Sequence, residues 1–350
     1  MTTQASSTSS SRIGWRSALG YMAAVVMVVL VLNVVARLAE PPNYIGEMRA
    51  KLGGVPGSEA VVLGPSVAKH LVPAAMCLKG ANIAESAMDV FEAEALARHL
   101  VARGEVPPVW IMGVIPSFQL ADNGSKGSST LGRRLLTYRT LQSLGDPRLI
   151  GDDVRSALRS LIFPALGHQE WRLRLRMMEQ QMRGVGWARP DVTVSQKAIA
   201  NEAEDQRMAT EWVATYSAAA SGIAAYDNTI ADRSLASLLR LNRLLNDSGA
   251  RLVIVVMPVS PATTAYFKSD ESVAVTGMDM IEQRLTADGA VIINDLTDAQ
   301  SERAHGEFRD AVHFNRSGGL RYSRDLGERL TEAGVIPNLE CPSLKPDSDQ

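Results

Sequence analysis

The sequence predicts an α/β fold, a three-layer doubly wound parallel sheet, with a helical insertion and an N-terminal transmembrane helix. Short apolar segments alternate with amphipathic helical segments, which is typical of parallel strands covered by helices on both faces. A long uncharged run precedes this pattern near the N-terminus. Between about 117 and 230 the alternation gives way to helical periodicity, which indicates an insertion into the sheet domain.

The N-terminal run 18–36 contains no charged residue, and it has the length of a helix of about 20 residues that crosses a bilayer core. Arg12 and Arg16 precede it, which favours a cytoplasmic N-terminus and an exported remainder. A cleaved signal peptide is the alternative, but the run is longer than the usual signal-peptide core of about 7–15 residues. We therefore expect a cytoplasmic tail at 1–17 and an uncleaved transmembrane anchor at 18–38.

The composition limits the classes of function. A chain of 350 residues can form one large domain or two small ones. The formal net charge of −2 gives no reason to expect nucleic acid as a partner. We expect a linker at 39–57, one soluble domain at 58–335 that contains the insertion, and a C-terminal tail at 336–350. The anchor would place this domain in the periplasm or another extracytoplasmic space, at the inner membrane of a bacterium.

The predicted sheet domain begins before the insertion. A strand is expected over 59–64, because the segment is apolar and ends at a Gly-Pro pair. The segment 85–103 has apolar residues at helical spacing and a glycine after its last residue, which predicts an amphipathic helix. A second apolar strand is expected over 109–115.

The alternation resumes after the insertion. A leucine-striped helix begins near 235 and ends near 246–249, and the continuous apolar run 251–257 predicts a buried strand. A short helix over 281–287 and a strand over 291–294 follow. The helical pattern 320–330 closes the domain.

The insertion has two interpretations. Its pattern places Trp171 and Met178 on one helical face and Arg172, Arg176 and Arg183 on another. In the functional interpretation, these arginines and aromatic residues contact a long polymeric ligand. In the structural interpretation, the apolar side packs on the core and the arginines are solvated, as in most amphipathic surface helices.

The chain has two cysteines, Cys77 and Cys341, which exclude a disulfide framework and a cysteine-rich metal site. A single disulfide is consistent with an extracytoplasmic domain, and two unpaired buried thiols are the alternative.

An acid–base pair stands near the C-terminal end of the chain. Asp310 and His313 can meet within one turn, so that the carboxylate holds one imidazole nitrogen while the other takes a proton. Ser66 follows the strand 59–64 and would present its hydroxyl at the carboxyl end of the sheet, where α/β active sites lie. We predict one nucleophilic site from these three residues. His70 is a rival base, and a turn residue, a helix cap and a buried imidazole are the structural alternatives.

These segments resemble the first and last blocks of the SGNH (GDSL-like) hydrolase superfamily. Gly-Pro-Ser, ending at Ser66, stands where the family has Gly-Asp-Ser, and Asp310 and His313 stand in its terminal Asp-x-x-His block. The resemblance covers roughly 58–115 and 234–333. It implies Ser66 as the nucleophile, His313 as the base and Asp310 as the residue that orients the base.

The middle blocks of the family are only partly kept. The segment 82–87 resembles the second block, with Ala87 where the family has a glycine that helps to bind the oxyanion. The Ala87 N–H remains a donor if the turn does not need a positive φ. Gly113 stands at the third block, but no asparagine follows it. The resemblance implies Asn82, Ala87 and Gly113 as oxyanion- or substrate-binding positions, and no metal ion or other cofactor.

The anchor, these departures and the ending Asp-x-x-His-Phe-Asn-x-x-Gly-Gly are similar to membrane-tethered SGNH-like proteins of cell-surface polysaccharide modification. Those proteins take part in alginate O-acetylation and in D-alanyl transfer to teichoic acids. The resemblance implies a serine O-acyltransferase or esterase that acts on O-acyl groups, chiefly O-acetyl groups, of an exported polysaccharide. A multi-span membrane O-acyltransferase is the implied protein partner. A non-catalytic carbohydrate-binding or assembly factor with the same fold is the alternative, and an esterase of lipids or peptides is a third.

Overall fold

A five-stranded parallel sheet forms the centre of the protein. The computed structural model describes residues 15–38, 42–115, 128–146, 196–224, 228–269, 274–296 and 303–337. The strands are β1 (Ala60–Leu63), β2 (Gly80–Asn82), β3 (Val109–Val114), β4 (Arg251–Val256) and β5 (Val291–Asn294). Their order in the sheet is β2-β1-β3-β4-β5.

Helices connect and flank the strands. They are α1 (Trp15–Leu38), α2 (Pro42–Gly53), α3 (Val90–Ala102), α4 (Ser128–Ser143), α5 (Glu202–Ala224), α6 (Asn228–Asp247), α7 (Pro261–Ser269), α8 (Ala274–Ala287) and α9 (Arg316–Glu332). Short 3-10 turns follow β1 at Ala68–His70 and Pro73–Met76, and another precedes α9 at His305–Glu307.

The central strands are buried on both faces, which requires covering layers above and below the sheet. Every residue of β1 and β3 is buried, and so is every residue of β4 after Arg251. Helix α3 packs against α6, and α9 packs against the 3-10 turn Pro73–Met76. The described residues therefore form an α/β fold compatible with the predicted three layers.

The order of the strands reverses beside β1. The chain runs outward from β1 to β2 and then returns to β3 on the other side, so its direction reverses between β1 and β3. In β1 and β3, Leu63 lies opposite Met112 at the carboxyl ends of the strands. Open α/β sheets bind ligands outside the carboxyl ends of the strands at such a reversal.

The strands predicted from apolar runs are confirmed, whereas β2 was not predicted. Its three residues are Gly80, Ala81 and Asn82, and none is fully buried, so there is no apolar run to detect. Pairing with β1 gives this segment its extended conformation.

The predicted start of α3 is wrong. The helix begins at Val90 because the side chain of Asp89 accepts hydrogen bonds from the N–H groups of Phe91 and Glu92, and the Glu92 side chain accepts one from the Asp89 N–H. This capping box ends the preceding turn. Residues 85–88, which the prediction placed in the helix, form that turn instead.

Two later helices are longer than predicted. Helix α8 covers Ala274–Ala287 and α9 covers Arg316–Glu332. The Asn315 side chain accepts a hydrogen bond from the Gly318 N–H and caps α9, so this helix starts before its apolar pattern becomes visible.

The segment interpreted as a linker is largely helix α2. Its Met48 and Leu52 side chains are buried in the core, as is Val55 just after the helix. The prolines and glycines at 41–57 hide this apolar spacing in the sequence, since they are typical of linkers. Part of 39–57 therefore belongs to the packed domain.

The described parts of the predicted insertion are helical, as expected, in α4, α5 and the start of α6. The predicted face with Trp171 and the neighbouring arginines lies outside the described residues. The segment 196–201 before α5 is irregular and touches the sheet domain, because the Ile199 N–H donates to the Phe308 carbonyl at 2.8 Å.

Helix α1 carries exposed apolar side chains from Leu19 to Val34. Within the described residues, no helix is both long enough and apolar enough to cross a membrane.

Cys77 is disulfide-bonded. The chain has one other cysteine, Cys341, which lies outside the described residues.

Candidate active site

The turn that carries Ser66, residues 64–71, follows β1 directly and is called the Ser66 turn below. Its first residue, Gly64, has a φ of 123°, and a Cβ there would lie 2.4 Å from the Gly113 carbonyl oxygen. Only glycine fits both the conformation and the space. The turn then tightens through a hydrogen bond from the Ala68 N–H to the Pro65 carbonyl. The partly exposed Ser66 is thereby fixed at the carboxyl end of β1.

Asp310 and His313 meet in a short loop before α9. His313 Nδ1 lies 2.9 Å from Asp310 Oδ1 and 3.0 Å from Oδ2. The Asp310 carboxylate also accepts hydrogen bonds from the N–H groups of Val312 and His313. The backbone and the imidazole are therefore held by one carboxylate, which fixes the orientation of the ring.

His313 Nε2 lies 2.8 Å from Ser66 Oγ. The prediction that Ser66, His313 and Asp310 lie in contact is thus confirmed, and they meet at the carboxyl ends of the strands. When Asp310 accepts the Nδ1 hydrogen, Nε2 carries the lone pair and accepts the Ser66 hydroxyl hydrogen. This is the arrangement of a nucleophile, a general base and an orienting carboxylate.

Asp310 is held in its charged form. Partial burial alone would raise the pKa of its carboxyl, but the hydrogen bond and charge of His313 and the two backbone donors outweigh it and lower the pKa to about 2. Arg309 adds a cation, with Nε 3.5 Å from Asp310 Oδ2. Asp310 is therefore an acceptor at neutral pH, as an orienting carboxylate must be.

The two glycines at the start of α9 allow the helix to approach the site. A Cβ on Gly318 would lie 2.1 Å from the Glu307 carbonyl oxygen, and a Cβ on Gly319 would lie 2.8 Å from the His70 carbonyl oxygen. The Asn-x-x-Gly-Gly pattern of the sequence therefore packs the 3-10 turn His305–Glu307 and the Ser66 turn against one helix end.

His70, the rival base, does not contact Ser66 through a hydrogen bond among the described residues. Its ring centroid lies 5.8 Å from that of His313, and its side chain is buried. Burial, followed by the nearby charges of His313 and Arg309, lowers the pKa of His70 to about 3. His70 is therefore a neutral neighbour of the base at physiological pH.

The Ala87 turn, residues 85–88, has a positive φ of 58° at Ala87. The Met88 N–H donates to the Glu85 carbonyl at 3.1 Å, which closes the turn. The expectation of a turn without a positive φ is therefore wrong, because the turn does need the left-handed conformation, which alanine adopts here although glycine would adopt it more easily. Within the described residues, the Ala87 N–H donates no hydrogen bond, so it is available as an oxyanion donor.

Asn82, predicted as an oxyanion- or substrate-binding position, makes its side-chain hydrogen bonds within the protein. Its amide donates one hydrogen to the Ala68 carbonyl at 2.9 Å and the other to the Leu71 carbonyl at 2.7 Å, and its oxygen accepts from the Ala84 N–H. Both donors are used, so none remains for a substrate. Asn82 instead ties the Ser66 turn to the strand that leads to Ala87.

Gly113 also differs from its predicted role. It is buried within β3, where it pairs with Val255. A Cβ there would lie 2.9 Å from the Ala68 Cβ, so glycine lets the Ser66 turn lie directly on the sheet. Gly113 therefore provides space for the Ser66 turn and is itself buried.

Sequence reasoning missed an ionic cluster beside the site. The buried carboxylate of Glu85 contacts Lys51 of α2 at 2.6 Å and Lys69 of the Ser66 turn at 3.4 Å. The three residues are far apart in the sequence and have no shared pattern, so only the fold brings them together. Among the described residues, no group of His, Cys, Asp and Glu side chains could hold a metal ion.

Neither the models of known protein families nor the curated proteins include a match to this chain. The functional conclusion therefore depends on the geometry of the site and on the resemblance in the sequence.

Proposed function

We propose that this protein is a membrane-anchored extracytoplasmic serine acyltransferase or esterase that acts on O-acyl groups, chiefly O-acetyl groups, of a cell-surface polysaccharide. The catalytic part of the proposal depends on one observation, the 2.8 Å contact between Ser66 Oγ and His313 Nε2 with Asp310 on the opposite nitrogen. The polysaccharide, the acetyl group and a multi-span O-acyltransferase as partner come from the resemblance to SGNH-like proteins.

In the first half-reaction, His313 Nε2 takes the Ser66 proton while Ser66 Oγ attacks the ester carbonyl carbon. The negative charge that forms on the carbonyl oxygen is stabilised by the N–H groups of Ser66 and Ala87. The bond to the leaving alcohol then breaks, and protonated His313 gives its proton to that alcohol. An acyl ester on Ser66 remains.

In the second half-reaction, water or a sugar hydroxyl attacks the acyl ester. His313 removes the proton of the attacking hydroxyl and returns a proton to Ser66 Oγ as the ester bond breaks. The same residues therefore support hydrolysis or transfer, and the bound acceptor decides between them.

Two observations support the proposed membrane-anchored, extracytoplasmic location. The run 18–36 contains no charged residue, and Arg12 and Arg16 precede it. The disulfide at Cys77 is typical of a domain that folds in an oxidising compartment.

The test is covalent labelling of the full chain with a fluorophosphonate, which reacts with activated serine hydroxyls. We expect Ser66→Ala to abolish labelling, and Asp310→Asn to reduce its rate by about 10³–10⁴-fold, because the imidazole loses its orienting acceptor. Mass spectrometry of the labelled peptide should place the adduct on Ser66.

Ser58→Ala is the matched control, because Ser58 is a serine near β1 whose hydroxyl donates to a backbone carbonyl. It should label at the rate of the unchanged protein. A folded, unchanged protein that does not react would contradict the proposal and would favour the non-catalytic carbohydrate-binding factor, which needs no activated hydroxyl.

A further inference from the structure

Glu85 is a buried carboxylate between the two turns that form the site. Its side chain is 2% exposed, and it contacts Lys51 Nζ at 2.6 Å and Lys69 Nζ at 3.4 Å. Lys51 belongs to α2, Lys69 to the Ser66 turn and Glu85 to the Ala87 turn. One carboxylate therefore connects three segments that are distant in the sequence.

The same carboxylate fixes the backbone around Ala87. Glu85 Oε2 accepts the Ser86 N–H at 3.2 Å, and the Glu85 carbonyl accepts the Met88 N–H at 3.1 Å. The N–H groups on both sides of Ala87 are therefore used within the turn, which leaves the Ala87 N–H as the donor that can face a ligand.

Lys51, which belongs to helix α2, also contacts the backbone that leads into the Ala87 turn. Besides its contact with Glu85, Lys51 Nζ donates to the Ala84 carbonyl at 3.0 Å. Lys51 thus contacts both the Glu85 side chain and the backbone of the residue just before the Ala87 turn. A second connection runs through the backbone, because the Glu85 N–H donates to the Gly64 carbonyl at 2.9 Å.

We propose that Glu85 is a positioning residue that sets the Ala87 N–H relative to Ser66 Oγ, and that Lys51 makes helix α2 part of the support of the active site. The inference rests on the proposed function, because an oxyanion donor matters only if Ser66 attacks a carbonyl carbon. Such a restraint is needed because Ala87 has a positive φ, which an alanine leaves easily.

The experiment compares Glu85→Gln, Lys51→Met and Lys51→Arg with Glu94→Gln in the full chain. Glu94 is the matched control, because it is also a buried carboxylate with two cationic partners, Arg98 and Arg240, but it joins α3 to α6. Each variant is measured for thermal stability, for fluorophosphonate labelling rate, and for kcat and KM with p-nitrophenyl acetate.

We expect Glu85→Gln and Lys51→Met to lower kcat and the labelling rate by about 10- to 100-fold, with KM changed by less than about twofold, because the oxyanion forms only after attack. Lys51→Arg should restore most of kcat, since it keeps the cation. Glu94→Gln should lower the melting temperature without changing kcat or the labelling rate.

Folded Lys51→Met and Glu85→Gln proteins with the kcat and labelling rate of the unchanged protein would overturn the inference. If Glu85→Gln does not fold, Lys51→Met decides alone, because Lys69 still pairs with the carboxylate. A failure of the proposed function is distinguishable, since the unchanged protein would then not be labelled at Ser66.

Discussion

His70 and His313 lie side by side, but their surroundings differ. His313 has a carboxylate on one nitrogen and a hydroxyl on the other. His70 is buried, and its Nδ1 has no hydrogen-bond partner among the described residues. The titratable or charged groups that act on His70 are His313, Arg309, Asp310 and Lys69. A proton on His70 would therefore be poorly solvated and close to other cations.

This difference predicts a pH dependence of stability. The pKa of His70 is about 3 in the folded chain, whereas an unfolded histidine has a pKa of about 6.5. Between these pH values the unfolded chain binds the proton and the folded chain does not. The free energy of unfolding should therefore fall as the pH falls, by at most about 1.4 kcal/mol per pH unit from this group.

His70→Phe should remove this contribution, because it keeps a buried ring but cannot bind a proton. Denaturant unfolding between about pH 6 and about pH 4 would measure the effect. Fluorophosphonate labelling at neutral pH is the control for correct folding of the variant. Equal slopes for the variant and the unchanged protein would contradict the assignment.

Ala87 has a backbone conformation that costs an alanine about 1–2 kcal/mol. We expect Ala87→Gly to raise the free energy of unfolding by about 0.5–1 kcal/mol, after the greater freedom of glycine in the unfolded chain is subtracted. Ala74→Gly, at a residue without a positive φ, should destabilise the protein instead. A less stable Ala87→Gly variant would show that the turn is not strained.

At the level of elements, the site exists because the Ser66 turn packs directly against Gly113 near the carboxyl end of β3. Gly64 and Gly113 face each other across β1 and β3, and a side chain on either would push the turn away from the sheet. The approach of these elements, together with the start of α9, brings Ser66 and His313 together although 247 positions separate them.

Gly64→Ala should therefore lower the free energy of unfolding by about 2–4 kcal/mol and abolish labelling of Ser66, through both backbone strain and a steric clash. Gly104→Ala is the control, because Gly104 also has a positive φ but a Cβ there meets nothing within 4 Å. The free energy of unfolding of Gly104→Ala should fall by only about 1 kcal/mol, and its labelling rate should be that of the unchanged protein. Similar effects of the two changes on labelling would argue against the contact between β1 and β3 as the cause.

Elements were predictable where burial gives a periodic pattern. The strands β1, β3 and β4, buried except for Arg251, appear in the sequence as apolar runs, and their positions are confirmed. Strand β2 and helix α2 could not be found in this way, because one lacks an apolar run and the other contains proline and glycine. Their structure depends on partners that are remote in the sequence.

At the scale of the whole molecule, Cys77 is disulfide-bonded, and a disulfide stabilises a fold mainly by restricting the unfolded chain. We expect Cys77→Ser to lower the free energy of unfolding by about 2–4 kcal/mol. Reductant should lower the melting temperature of the unchanged protein to about that of the Cys77→Ser variant, and it should leave the melting temperature of the variant unchanged. Peptide mapping without reduction would identify the bond directly, and free thiols in the protein isolated without reductant would contradict it.

The sequence by itself determined the α/β class, the buried strands and the three residues, Ser66, Asp310 and His313, that the fold brings into contact. It could do so because burial leaves a period in the chain, and because few residue types can take or give a proton at neutral pH. Only the tertiary structure decided the positive φ of Ala87, the use of both Asn82 donors and the contact of Glu85 with Lys51 and Lys69. These features arise from packing between distant segments, which no local pattern records.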